Sequence, residues 1–309
     1  MNGALARGAL EEPLVEELLP PDPPWEAPIV FFAALHYLAL AGRAPRLAAA
    51  YEGDGAVWPA AREALVDEFD WVRDFVWGQP VQTNEVQRCW ALLPGFLAAS
   101  GEGRAVELVE LGPSAGLNLC WDRYRYRYPG LEYGPESPVV LEGTWRSAFP
   151  RELFRRSPEV RRRVGIDRSP VDATSEEGAR LLQAFLWPDQ PERLRRLGVA
   201  IEVLRRDPPT LLAGDYVALL PAVLAEGEAD ALAIVFHSAS TQYLDDAEFA
   251  KLESAIAGAG RPVAWLSMEP ERGTDNYGDY FLDLRAGPDL PARRLARVNY
   301  HGRWVDWRT

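Results

Sequence analysis

Lysine is nearly absent from this 309-residue chain: Lys251 is the single one, and all other basic side chains apart from three histidines are arginine. That excludes a P-loop, which needs G-x-x-x-x-G-K-[ST], a kinase, which needs a strand lysine, and a pyridoxal enzyme, which needs a Schiff-base lysine in a pocket. Lys251 itself stands in EFAKLESAIAGAG, which reads as a surface helix. The histidines are His36, His237 and His301, and cysteine is limited to Cys89 and Cys120. With no H-E-x-x-H and no C-x-x-C, no metal site is expected. The opening MNGALARGALEEPLVEELLP carries acids early and no secretory pattern, so a reducing, cytoplasmic compartment is expected. Long apolar runs are missing too. The longest, PIVFFAALHYLALAG from Pro28 to Gly42, falls short of the roughly 20 residues of a bilayer span and carries His36, so it reads as a buried helix and no membrane partner is expected.

What is present is acid and apolar mass. The 46 Asp+Glu outnumber 33 Lys+Arg, a formal charge of −13, which opposes broad attraction to phosphate backbones. Hydrophobic residues make up 48% of the chain, enough for a core without disulfides or metal, in one or two domains. Residues 1–24 are Pro- and Glu-rich and end in PPDPPW, so they read as a partly ordered arm. Residues 25–101 show helical spacing of apolar residues and read as a helical domain. From 102 to 309, strand-like and helix-like segments alternate. Candidate strands lie at 105–111, 163–167, 200–206, 231–238, 262–268, 280–286 and 295–300, and candidate helices at 116–126, 174–186, 215–226 and 245–259. This alternation implies an α/β, doubly wound, mostly parallel sheet of about seven strands, with the last two antiparallel at its edge. Residues 128–159 are turn-rich and read as an insertion.

The most informative string is VELVELGPSAGLNLCWDRY: a strand ending in Glu110, a tight turn through Gly112, Ser114 and Gly116, then a helix opening near Leu117. Small residues let backbone approach a ligand, and free N–H groups at a helix start can bind an anion or hydroxyl. The plainest alternative is a strand–helix turn with no ligand. A nicotinamide fingerprint fits poorly, because G-x-G-x-x-G needs glycines where Ser114 and Leu117 stand. A serine hydrolase elbow matches literally as Gly112-Pro113-Ser114-Ala115-Gly116, with Ser114 as nucleophile, Asp215 or Asp283 as acid and His237 or His301 as base. Against it, only one strand precedes the turn and no HGGG-type oxyanion segment occurs.

The same string resembles the first motif of class I S-adenosylmethionine-dependent methyltransferases, an acid followed by G-x-G-x-G, with Ser114 in place of the middle glycine. The resemblance implies that Glu110, Gly112, Ser114, Gly116 and Asn118 hold the cofactor. It also implies that an acid after the second strand, here Asp167 in RVGIDRSP, accepts both ribose hydroxyls, and that Asp215 in LLAGDYVALLP meets the adenine. Cap or turn roles for Asp167 and Asp215 remain equally open. QTNEVQRC, ELGPSAGLNLCWDRYRY, GIDRSPVD and VFHSASTQYL together resemble a bacterial domain-of-unknown-function family with a methyltransferase-like fold, which implies a helical N-terminal part joined to a cofactor-binding sheet.

Methyl transfer needs few catalytic side chains, chiefly positioning and removal of a proton. The D/N-P-P-Y/F motif of nitrogen-directed enzymes is replaced here by Phe236-His237-Ser238-Ala239-Ser240, which disfavours a base or amide nitrogen as acceptor. His237, at the end of a central strand, is the candidate general base, with a hydrogen-bonded core histidine as the alternative. Gln82, Asn84, Glu85 and Arg88 form a polar cluster that the family resemblance places against the acceptor; otherwise Asn84 and Gln87 make a capping box. Arg88 suits an anionic group, which makes a small acidic or hydroxyl-bearing metabolite the expected substrate. Tyr124-Arg125-Tyr126-Arg127-Tyr128 and the arginines from Arg151 to Arg163 allow a nucleic-acid reading, but a helix continuing past the turn and a solvated helix face are favoured. A non-catalytic binding module is the remaining alternative.

Overall fold

The computed structural model describes residues 2–101, 103–273, 278–287 and 291–308. They divide into a helical unit, Met1–Asn84 with Val171–Ile201, and a sheet unit, Glu85–Pro170 with Glu202–Thr309. In the first, α1 (Asn2–Leu10), α2 (Pro13–Leu18), α3 (Ala27–Leu40), α4 (Pro45–Tyr51), α5 (Val57–Asp67) and α6 (Phe69–Gly78) follow in order; α7 (Arg88–Ser100) opens the second, and α8 (Glu176–Ala184) and most of α9 (Pro191–Arg205) return to the first. Proline in the first turn of α2, α3 and α4 presets the backbone where its missing N–H has no helical partner to lose. The expected arm is folded over α1 and α2, because Leu5, Val15 and Leu18 join the core formed by Phe31, Leu35, Leu38, Leu47 and Leu65. α3 has no polar stripe and is buried accordingly. Among the described residues no single helix is long and apolar enough to cross a membrane.

The sheet unit contains β1 (Val106–Leu111), β2 (Arg125–Tyr128), β3 (Leu131–Tyr133), β4 (Val140–Glu142), β5 (Thr144–Trp145), β6 (Val160–Asp167), β7 (Thr210–Ala213), α10 (Tyr216–Ala225), β8 (Leu232–Ser238), α11 (Asp246–Ala257), β9 (Val263–Pro270), β10 (Tyr280–Arg285), β11 (Arg293–Val298) and β12 (Trp304–Trp307). The main sheet has nine strands in the order β5-β12-β11-β10-β9-β8-β1-β6-β7. β9, β8, β1, β6 and β7 are parallel; β10, β11 and β12 run antiparallel to their predecessors, and β5 pairs parallel with β12. This corrects the expected seven-stranded, mostly parallel Rossmann-type sheet. The antiparallel β10–β11 pair was legible, whereas β12 and β5 are too short to show an alternation.

Two local corrections have clear causes. AIEVLRR is not a strand but the end of α9, whose buried Leu197, Ala200, Ile201 and Leu204 recur at helical spacing. The third parallel strand is β7 instead. The helix expected over 116–126 is a 3₁₀ segment, Leu117–Arg123, followed by Tyr124 and then β2; Tyr124, Tyr126 and Tyr128 are buried, and Arg125 and Arg127 are more exposed. The tyrosine hydroxyls donate to the carbonyls of Leu117, Trp121 and Trp90, so these rings are core and not a stacking surface. β2, which leads into the expected insertion, pairs with β3 and β4 inside it to form a separate small sheet.

Alternation along the central strands sorts the two faces. Val109, Leu111, Val164, Ile166 and Val235 pack under α10 and α11. Phe236 points the other way and meets Phe96 of α7 edge to face, with ring centroids 4.9 Å apart.

Candidate functional site

From β1 the order runs through β6 and β7 to one side and through β8 and β9 to the other. The switch point of the sheet therefore falls between the carboxyl ends of β1 and β8, the place where open α/β sheets bind ligands. The turn after β1 lies there. Gly112, Ser114 and Gly116 have φ of +70°, +54° and +77°, so the turn needs the left-handed region three times and places one non-glycine there. A Cβ at Gly112 would overlap the Ser240 hydroxyl, and one at Gly165 of β6 would come within 2.6 Å of Pro113. Asp167, at the end of β6, holds the turn: its Oδ2 accepts the Ser114 N–H and its Oδ1 the Ser169 N–H, both at 2.8 Å.

Below the turn lie two buried groups of opposite potential charge. Glu110 accepts from Asn118 Nδ2 at 3.4 Å through Oε1, and Asn118 Oδ1 accepts the Cys89 thiol at 3.1 Å. Glu110 Oε2 is buried with no hydrogen-bond partner among the described residues. Burial pushes the Glu110 carboxyl up to about 8, opposed by the Asn118 bond and the Arg88 charge and reinforced by Asp167. Burial likewise pushes the Cys89 thiol well up. Arg88, at the start of α7, is 3% exposed. Its Nε donates to the Tyr300 carbonyl at 3.0 Å, its Nη1 to the Ser238 carbonyl at 3.2 Å, and its Cζ lies 4.4 Å from the Tyr300 ring centre. Its Nη2 is buried and has no partner among the described residues.

The remaining expected residues fall in different places. His237, on the α11 face, is 1% exposed: Nδ1 lies 2.7 Å from Glu269 Oε1, and Nε2 accepts the indole N–H of Trp265 at 2.9 Å. Indole can only donate, so the ring proton sits on Nδ1, and both nitrogens are engaged. Asp215 caps α10, accepting the Val217 N–H at 2.8 Å. Glu85 belongs to the sheet unit, where its Oε2 lies 3.6 Å from His301 Nδ1, whereas Gln82 and Asn84 belong to the helical unit. Sequence reasoning missed Glu269 and Tyr300. Glu269 had a signal, as an acid at the end of the strand PVAWLSMEP; Tyr300 contributes a carbonyl and a ring face, which no spacing reveals.

No curated protein matches the chain at a significant level. The family described as "Uncharacterized protein conserved in bacteria (DUF2332)" matches residues 5–307. A match over nearly the whole length, helical and sheet units together, makes this chain a member of that family.

Proposed function

We propose that the chain binds S-adenosylmethionine at the carboxyl ends of β1, β6 and β8 and transfers its methyl group to a small acidic or hydroxyl-bearing metabolite. The observation that carries this is the pair of orphaned buried atoms, Arg88 Nη2 and Glu110 Oε2. One guanidinium nitrogen lacking an acceptor and one carboxyl oxygen lacking a donor complement an α-amino acid head, carboxylate to Arg88 and ammonium to Glu110. Asp167 fits the other end. Each of its oxygens is fixed by one backbone N–H and retains a lone pair, which suits two neighbouring hydroxyls. An amino acid head and a vicinal diol on either side of a glycine turn define an adenosyl amino acid. It is the site, not the sheet, that supports this reading, since the nine-stranded order departs from the class I arrangement.

When bound, S-adenosylmethionine supplies a methyl group on a sulfonium, open to in-line displacement. The residues around it position and exclude water. Arg88 is held rigid by Ser238 and Tyr300, Glu110 by Asn118, and Ser114 by Asp167, so little ordering remains to be done on binding. The buried tier beneath the turn keeps solvent from the reacting centre.

Calorimetric titration with S-adenosylhomocysteine and with 5′-methylthioadenosine, which lacks the amino acid head, tests the reading. Micromolar binding of the first, weakened at least about a hundredfold in the second, roughly 2.7 kcal/mol, is expected. Equal affinity would contradict it. A serine hydrolase is favoured by one feature, the strained φ of +54° at Ser114. It is disfavoured because His237 already has both ring nitrogens engaged. Stoichiometric fluorophosphonate labelling, lost in Ser114→Ala, would establish the hydrolase instead.

A further inference from the structure

A second acid stands at a strand end on the α11 face. Glu269 closes β9 and is 9% exposed. Its Oε1 accepts from His237 Nδ1 at 2.7 Å and from the Ser240 and Thr241 N–H groups at 2.8 and 3.2 Å. Because the Trp265 indole donates to Nε2, His237 meets Glu269 as a hydrogen-bond donor and not as a counterion. Glu269 Oε2 is buried and has no partner among the described residues.

Two adjoining cavities of about 240 and 210 Å³ share Thr241, Glu269, Pro270, Glu271 and Arg272 as walls. The guanidiniums around them are matched: Arg285 by Glu253 at 3.1 Å, Arg294 by Asp283 and Glu271 at 3.1 and 3.2 Å, and Arg272 by Asp246 at 2.7 Å. Glu269 is the lining acid left without a guanidinium among the described residues. We propose that this cavity binds a small protonated amine, with Glu269 Oε2 as its principal acceptor and the hydroxyls of Thr241 and Ser267, which line the larger cavity, beside it.

The chemistry selects the class. With Oε1 committed to three donors, the carboxylate has one oxygen without a donor, which suits a compact ammonium and not a flat guanidinium that pairs with both oxygens. The larger of the two cavities, about 240 Å³, has room for a small aliphatic amine beside Glu269. Ser240 ties the cavity to the turn, since its N–H binds Glu269 and its hydroxyl lies against Gly112.

Titration of the full chain with n-propylamine, n-propanol and methylguanidine, with no adenosyl ligand present, tests the inference. Its failure then leaves the cofactor reading standing, and the reverse. Propylamine should bind at least about tenfold more tightly than either analogue. Glu269→Gln keeps a carbonyl oxygen for the two backbone N–H groups and should lose that tenfold. Ser267→Leu fills the cavity while leaving the bonds of Glu269 intact, and should lose it as well, which covers the case in which Glu269→Gln does not fold. No binding of propylamine, equal binding of amine and alcohol, or binding undiminished in Ser267→Leu, as attraction to an acidic surface alone would give, overturns the proposal.

Discussion

Glu110 is an acid that folding holds in its neutral form. Its pKa is raised from 4.5 to about 8, chiefly by burial, so between those values the unfolded chain ionises it while the folded chain keeps the proton. Stability from this group is thus fully present below pH 4.5 and falls as pH rises towards 8, by about 1.4 kcal/mol per unit at most. Glu110→Gln should raise the stability of the free protein relative to wild type progressively from pH 5 to 8, by on the order of a few kcal/mol, and the gain should level off above. Thermal denaturation across that range checks it; a constant offset would place the Glu110 side chain in solvent. The same variant should lose S-adenosylhomocysteine binding, so stability and function move oppositely, as expected of a site residue. Glu110 and Asp167 were legible as acids at strand ends, because a β-strand followed by a turn dictates where its last side chain goes. The nearness of the Arg88 charge to Glu110 was not, since it depends on how α7 lies on the sheet.

At the scale of elements, the turn after β1 depends on its neighbours as much as on its own glycines. Gly165 of β6 sits beside Glu110 in the strand register and leaves room for the Pro113 ring. Gly165→Ala adds a methyl group 2.6 Å from that ring and 2.8 Å from Leu211, so the turn must shift. A loss of about 1–3 kcal/mol is expected, together with weaker S-adenosylhomocysteine binding, measured by melting and titration on one preparation. Unchanged binding would mean that the turn does not touch the ligand. The strand–turn pattern here was legible because glycine, proline and serine have strong local preferences. AIEVLRR was misread because β-branched residues suit a strand locally, while Leu197, Ala200, Ile201 and Leu204 form a helical stripe that packing rewards. Tyr124 to Tyr128 was misread the other way, its alternation being a strand signal taken for a helix.

Across the molecule, the sheet order separates two buried acids. Glu110 lies under the turn on the α7 face, and Glu269 lies beside a cavity on the α11 face; each has one satisfied and one unmatched oxygen. The helical character of the first residues and the α/β character of the rest were legible from periodicity, but the ninth strand and the passage of residues 171–201 into the helical unit arise from long-range packing that periodicity does not encode. In the proposed complex the ligand's ammonium meets Glu110. A neutral Glu110 must then give up its proton on binding, so titration with S-adenosylmethionine at pH 7, in buffers of small and large ionisation enthalpy, reads it directly. Release of most of one proton per ligand at pH 7, the number falling as pH rises through 8, where Glu110 ionises in the free protein and the ligand's amine loses its proton, is expected. Binding with no buffer dependence at pH 7, or no heat with S-adenosylmethionine in either buffer, would contradict it.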